Sequence, residues 1–242
     1  MSEYLSSIKN ENILFLDIET VSQYQTYTAM PHILRVLWDK KSKKFIDEQF
    51  NSPEKAYCKA GILAEFGKII CISAGYIITR KNKKELRVRS FYGNDEAQIL
   101  TDFLQLFTKY FNTDNHYLCA HNGKEFDFPY IARRALINGI KLPQKFDTRG
   151  LKPWEVRHSD TLDLWRFGDY KNYTSLELLT AIFDIPSPKS DLDGSMVNEA
   201  YWKDNKNEEI MNYCQKDVVA IVQLYMKYKS EELFTDEQIK IV

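Results

Sequence analysis

An apolar run that ends on two carboxylates constrains this chain more than any other stretch. Ile13, Leu14, Phe15 and Leu16 lead directly into Asp17 and Glu19, in ILFLDIET. Such a run predicts a fully buried, central first strand. A carboxylate buried without a partner is strongly disfavoured, so something positive is expected where the strand ends. Residues two apart on a strand share a face, which lets Asp17 and Glu19 converge while Ile18 packs behind them. Taken alone, Asp-x-Glu after a strand can equally be a polar turn.

Two further motifs weigh against the turn. In HNGKEFDFP, Asn122 and Asp127 flank a short turn, and Phe126 and Phe128 bracket the aspartate with apolar anchors. Pro129 then suits the first turn of a helix over PYIARRALINGI, where its missing N–H is not needed. In YCQKDVV, Tyr213 and Asp217 are four residues apart, hence on one helix face, with Val218, Ile221, Val222 and Tyr225 extending an apolar stripe. Four carboxylates from three motifs form a candidate site for two divalent cations, and Mg²⁺ and Mn²⁺ take such oxygen ligands.

In these motifs, their order and their spacing, the chain resembles the DEDD superfamily of 3′→5′ exonucleases. The likeness is nearest to stand-alone relatives of the proofreading exonuclease domain of B-family DNA polymerases. It runs through FLDIET, AEFGKIICISAGY, AHNGKEFDFPYI, KSDLDGSMV and YCQKDVVAIVQLY, nearly the whole chain. The resemblance implies an α/β, ribonuclease H-like fold with a central mixed sheet flanked by helices. It also implies Asp17, Glu19, Asp127 and Asp217 as catalytic metal ligands for two Mg²⁺ or Mn²⁺ ions, and Tyr213 as the catalytic tyrosine. A sister subclass has histidine five residues before the last aspartate; Asn212 stands there, which favours the tyrosine subclass. Thr20 and Val21 are implied as backbone contacts to the terminal nucleotide, and Asn122 as a polar contact to substrate or its water.

The implied reaction is hydrolysis of phosphodiester bonds from the 3′ end of single-stranded DNA, releasing nucleoside 5′-monophosphates. A 3′→5′ exoribonuclease or oligoribonucleotide-degrading enzyme is the alternative, and a catalytically silent nucleic-acid-binding module stays open as a different class. Discrimination between the sugars depends on contacts to the 2′-position, which the sequence does not locate. Asp160 and Asp163 in HSDTLDLWRF resemble a family segment near the site, where a helix cap or salt-bridged loop explains them equally well. Lys189 and Asp193 in PSPKSDLDGSMV match another recurring segment, with Gly194 serving the turn before a helix.

Composition agrees with this reading without carrying it. The 242 residues suit one α/β domain spanning 1–242, far too short to include a polymerase. A formal net charge of −1 is not that of a broad nucleic-acid-binding surface, so a small local footprint must serve. Cys58, Cys71, Cys119 and Cys214 are scattered without zinc-ligand spacing and read as buried free thiols. No apolar signal core opens MSEYLSSIKNEN and no stretch approaches the roughly 20 apolar residues of a membrane span, so a soluble, cytoplasmic protein without a membrane partner is expected.

Strands are expected at Ile13 to Leu16, Lys68 to Thr79, Leu86 to Tyr92 and Tyr117 to Ala120, the middle two joined by the charged turn 80–84. Asn94 is the expected cap of a helix carrying Ile99, Leu100, Phe103, Leu104 and Phe107. Later helices are expected around 175–183, 194–202 and 208–229. Residues 22–66 read as an insertion. There Ile33, Leu34, Leu37 and Trp38 have helical spacing, and Lys40, Lys41, Lys43 and Lys44 form either a solvated face or part of a lid that uses Tyr24, Tyr27 and Trp38 to stack on a substrate strand. Arg133 and Arg134 invite the same two readings. His121, beside Asn122, is expected to make structural hydrogen bonds.

Overall fold

A computed structural model describes residues 3–81, 83–186 and 192–242. Asn82 of the expected hairpin turn and Lys189 therefore lie outside the described residues. Six strands, β1 (Ile13–Ser22), β2 (Gly67–Arg80), β3 (Lys83–Tyr92), β4 (Tyr117–Ala120), β5 (Ser159–Asp160) and β6 (Ile239–Ile241), form one sheet in the order β5-β4-β1-β2-β3-β6. The β1–β2 and β2–β3 pairs are antiparallel, while β1–β4, β4–β5 and β3–β6 are parallel, so the sheet is mixed. The helices are α1 (Glu3–Ser7), α2 (His32–Lys41), α3 (Glu96–Tyr110), α4 (Asp127–Ile137), α5 (Thr161–Arg166), α6 (Leu176–Ile182), α7 (Val197–Trp202) and α8 (Asn207–Tyr228). This is the α/β architecture expected from the sequence.

The period of two along β1 divides the core. Leu14, Leu16 and Ile18 pack with α3 and α4, against Leu100, Phe103, Phe128 and Ile131. Ile13 and Phe15 face the other way, against Val218, Ile221, Val222 and Tyr225 of α8. By the same alternation Asp17 and Glu19 continue on the α8 side. Ile18 thus lies behind the carboxylates, as the alternation requires.

Residues 22–66 hold a separate cluster of Met30, Trp38, Ala56, Tyr57, Ala60 and Phe66. Trp38 is fully buried, stacks on Phe45 and meets Tyr57 and Phe66 edge-on, and its indole donates to Pro53 O. Tyr24 and Tyr27 are half-buried at the edge of this cluster and Tyr27 donates to Asp39, so of the three rings Trp38 is core and is withdrawn from any stacking role. The four lysines of the run are exposed. Ile33 and Leu37 lie on α2 as their spacing implies, yet both face outward.

Three local expectations are corrected. The cap of α3 is Asp95, whose carboxylate accepts from Gln98 N at 3.2 Å; Asn94 accepts from Asn207 instead. A carboxylate both accepts the capping bond and favours the positive end of the helix. The first strand runs on to Ser22, because β2 pairs with it as far as Gly67. Cys58 is exposed, unlike the other three cysteines, because the turn of helix at Lys55–Ile62 that carries it buries Ala56, Tyr57, Ala60 and Gly61 instead.

Candidate active site

The parallel strands β1, β4 and β5 all point their C-terminal ends to one side of the sheet, the usual place for a site in such a sheet. β4 pairs with β1 only along Ile13, Leu14 and Phe15 and ends at Ala120, so β1 projects beyond it. The HNGKEFD turn fills this step. Asn122 adopts the left-handed conformation (φ 62°), which Asn tolerates better than most residues, and its carbonyl accepts from Glu125 N and Phe126 N. Gly123 is required by close approach, since a Cβ there would lie 2.4 Å from the Ala120 side chain. The turn delivers Asp127 to the first turn of α4, where its Oδ1 accepts from Ile18 N at 3.2 Å. Asp127 thereby takes a hydrogen-bonding position on β1 that β4 leaves open.

Asp160 holds the turn from below. Its Oδ1 accepts from Asn122 N and Leu162 N, both at 2.9 Å, and its Oδ2 from Lys124 N at 3.0 Å. It is at once the cap of α5 and a brace for the second motif. Asp163 is paired with Lys124 and Arg166. Both ring nitrogens of His121 are engaged, Nδ1 with Thr161 Oγ1 and Nε2 with Thr174 O, each at 2.9 Å, so this histidine is structural as expected.

Asp17 and Glu19 lie close enough to the other carboxylates to be raised by them. Asp17 is driven well above the usual carboxylate range, by burial first and then by Asp217, Glu19 and Asp127. Glu19 is raised likewise, by burial and then Asp217. Burial, reinforced by Asp160, pushes Asp127 to about 8 against its own backbone hydrogen bonds. Asp217 reaches about 6 through burial, restrained by the Tyr213 hydroxyl, which hydrogen-bonds to it. The Tyr213 phenol is raised by burial and by Asp217, Glu19 and Asp17, so it stays protonated and donates. Asp17 Oδ2 is buried without a hydrogen-bond partner. An orphaned acceptor among mutually repelling acids fits a cation, and hard oxygen donors fit Mg²⁺ or Mn²⁺.

Cys214 is an unforeseen neighbour. Its Sγ lies within 4.8 Å of ligand atoms of both Asp17 and Glu19 and donates to Asp17 O at 3.4 Å. Its place on the α8 face, three residues before Asp217, is the sequence signal that could have found it. Thr20 is half-buried just past a register shift in β1. Val21 is fully buried among Ile70, Val197, Ala200 and Tyr201. The Gly61 backbone closes over both, for a Cβ on Gly61 would lie 3.0 Å from Val21 C and 3.2 Å from Thr20 O. Asn122, Asp127, Asp17, Glu19, Tyr213 and Asp217 gather at one end of the sheet, while Val21 is covered by α7 and the segment at Gly61.

Residues 62–239 match a family described as predicted 3′-5′ exonucleases related to the exonuclease domain of PolB. The chain belongs to this family. The match takes in Asp127, Tyr213 and Asp217 but begins after Asp17 and Glu19, which the fold brings to the other three. Among solved structures, the family B DNA polymerase of the hyperthermophilic archaeon Pyrobaculum calidifontis is similar in fold, with a TM-score of 0.52 and 19% identity. That likeness covers 89% of this chain but only 24% of the polymerase. No curated protein matches the chain. Among the described residues no helix is long and apolar enough to cross a membrane.

Proposed function

We propose that this protein is a metal-dependent 3′→5′ exonuclease that removes nucleoside 5′-monophosphates from the 3′ end of single-stranded DNA. The observation that carries the reading is the gathering of Asp17, Glu19, Asp127 and Asp217 from β1, α4 and α8 without an opposing positive side chain among the causes that set their pKa values. Asp17, Glu19, Asp127 and Asp217 would hold two Mg²⁺ or Mn²⁺ ions, which supply an activated water and stabilise the leaving 3′-oxygen. Tyr213 keeps its proton and aims its hydroxyl from α8, suited to orienting the attacking water rather than removing a proton as a free base. Ile18 N and the Asp160-braced turn keep Asp127 in position as substrate enters. Thr20, through backbone atoms, and Asn122 are assigned to the terminal nucleotide. We read the chain as one domain with 22–66 inserted, supported by the separate aromatic cluster of that segment.

The test is a time course with purified protein, Mg²⁺ or Mn²⁺, and 5′-labelled single-stranded DNA, duplex DNA and RNA. A descending ladder on single-stranded DNA, with duplex ends slower because unpairing takes a few kcal/mol, is expected. Rapid nicking of circular single strands overturns the reading, and preference for RNA moves the activity to the exoribonuclease alternative.

A further inference from the structure

The loop joining α5 to α6 displays aromatic rings that the fold leaves in water. Phe167 is 92% exposed, Tyr170 71% and Tyr173 64%. Single exposed apolar side chains are ordinary on a protein surface. Three within seven residues, on a loop fastened beside the carboxylates, call for a use. At one end of the loop Thr174 O accepts from His121 Nε2 at 2.9 Å, and the Tyr173 ring lies 6.3 Å from the imidazole. Tyr173 is close enough to Asp127 and Asp160 to feel both charges. Three residues beyond Thr174, Glu177, in the first turn of α6, acts on Asp217. The C-terminal end of the loop, where it enters α6, therefore lies at the rim of the site, close to both Asp127 and Asp217.

The residue that opens the loop is held against its own backbone preference. Phe167, the C-cap of α5, adopts φ 46° and ψ 31°, a left-handed conformation that is an outlier for a bulky side chain, although glycine suits it and Gly168 is next in line. Neighbouring Tyr170 carries the Arg166 guanidinium 5.6 Å from its ring centre, and Arg166 is itself tied to Asp163 and Glu125. The loop's own charges, Asp169 and Lys171, are balanced, so the surface attracts through its rings and not through net charge.

We propose that Phe167, Tyr170 and Tyr173 form a stacking platform for the bases of the single strand that lie 5′ of the nucleotide being removed. This rests on the exonuclease reading and deepens it. Every base has a π-face, so rings grip a strand regardless of sequence, and they supply hold where a protein of net charge −1 offers no broad phosphate-binding surface. Continuity with the carboxylate site selects this occupant, because a strand whose 3′ end reaches Asp127 comes beside Tyr173 at the end of the loop.

The experiment compares the full-length wild type with Phe167→Ala/Tyr170→Ala on a 12-nucleotide single strand and on the p-nitrophenyl ester of thymidine 5′-monophosphate, which is too small to reach the loop. Tyr110→Ala, an exposed aromatic on α3, is the control. The double variant should raise KM for the 12-mer about 10-fold or more, with kcat and ester hydrolysis unchanged, the scale expected for lost base stacking. Phe167→Gly should raise Tm while weakening 12-mer binding, an opposition that a purely structural phenylalanine would not produce. Equal KM for wild type and double variant, or an equal loss on the ester, overturns the platform. If the wild type cleaves nothing, the exonuclease reading fails instead; fluorescence anisotropy of the labelled 12-mer in Ca²⁺ then decides the platform, which a variant Kd equal to that of wild type overturns.

Discussion

Two buried carboxylate sites share this sheet and have opposite fates. Glu96, at the start of α3, accepts from Ile69 N at 2.7 Å, from Arg134 Nε at 2.8 Å and Nη2 at 2.5 Å, and from Asn138 Nδ2 at 2.9 Å. Arg134 completes its own set by donating to Ala64 O. Asp17 meets only like charges, a thiol and an orphaned oxygen of its own. Burial is common to both sites; the presence or absence of a fixed positive partner separates a structural brace from a site that awaits a ligand.

The contrast breaks most visibly at the four acids. Replacing Asp17, Glu19, Asp127 or Asp217 by Ala should reduce 3′-end cleavage to background in a gel assay, while the Asp17 and Glu19 variants melt at an equal or higher temperature in EDTA because a source of repulsion is gone. Full activity in any two of these variants would dissolve the distinction between the sites. At the satisfied site the outcome reverses. Arg134→Ala should leave Glu96 buried and unpaired and lower stability by about 3–5 kcal/mol in urea unfolding, whatever it does to cleavage. A loss under about 1 kcal/mol would show that the pair contributes far less than a buried brace should.

Smaller effects sharpen the same line. Tyr213→Phe should keep its packing and stability yet lose roughly 10²-fold in kcat, the scale of a positioned proton-handling hydroxyl. Last comes pH. Asp127 has a folded-state pKa of about 8 and Asp217 of about 6, both above the ordinary aspartate value of 3.8. The folded, metal-free protein therefore holds protons that the unfolded chain has released. Stability is greatest below about pH 4 as far as these groups are concerned, and is lost as pH rises through 6 and then 8. Urea midpoints in EDTA should fall between pH 5 and pH 8, and Asp127→Asn should flatten the slope; a rise over that interval would contradict the sign.

The carboxylate site was legible because its members lie in three short segments whose local pattern betrays them: a strand running into Asp17 and Glu19, apolar brackets around Asp127, and a helical face joining Tyr213 to Asp217. The brace was not legible, since Glu96 and Arg134 are 38 residues apart and each reads locally as an ordinary surface charge. Residues 22–66 show a related limit. Their aromatics were equally compatible with a lid and a core, because composition does not say which way a ring points, and Trp38 and Tyr57 turn inward. The rings of the α5–α6 loop carried no sequence signal, having no periodicity to assign them a face. β5 and β6, of two and three residues, are too short for a pattern and exist only through β4 and β3.

Those two short strands have a consequence for how the molecule behaves in company. They occupy the outer positions of the sheet, and β6 covers only the middle of the ten-residue β3. A long open edge is a template on which another chain can add a strand. Here the outer side of β3 is capped at Leu86, Arg87 and Val88 by β6, and flanked by the charges of Lys83, Lys84, Glu85 and Arg89. Cutting the chain before Thr235 would uncover that edge, and self-association in light scattering would follow even with the catalytic residues untouched.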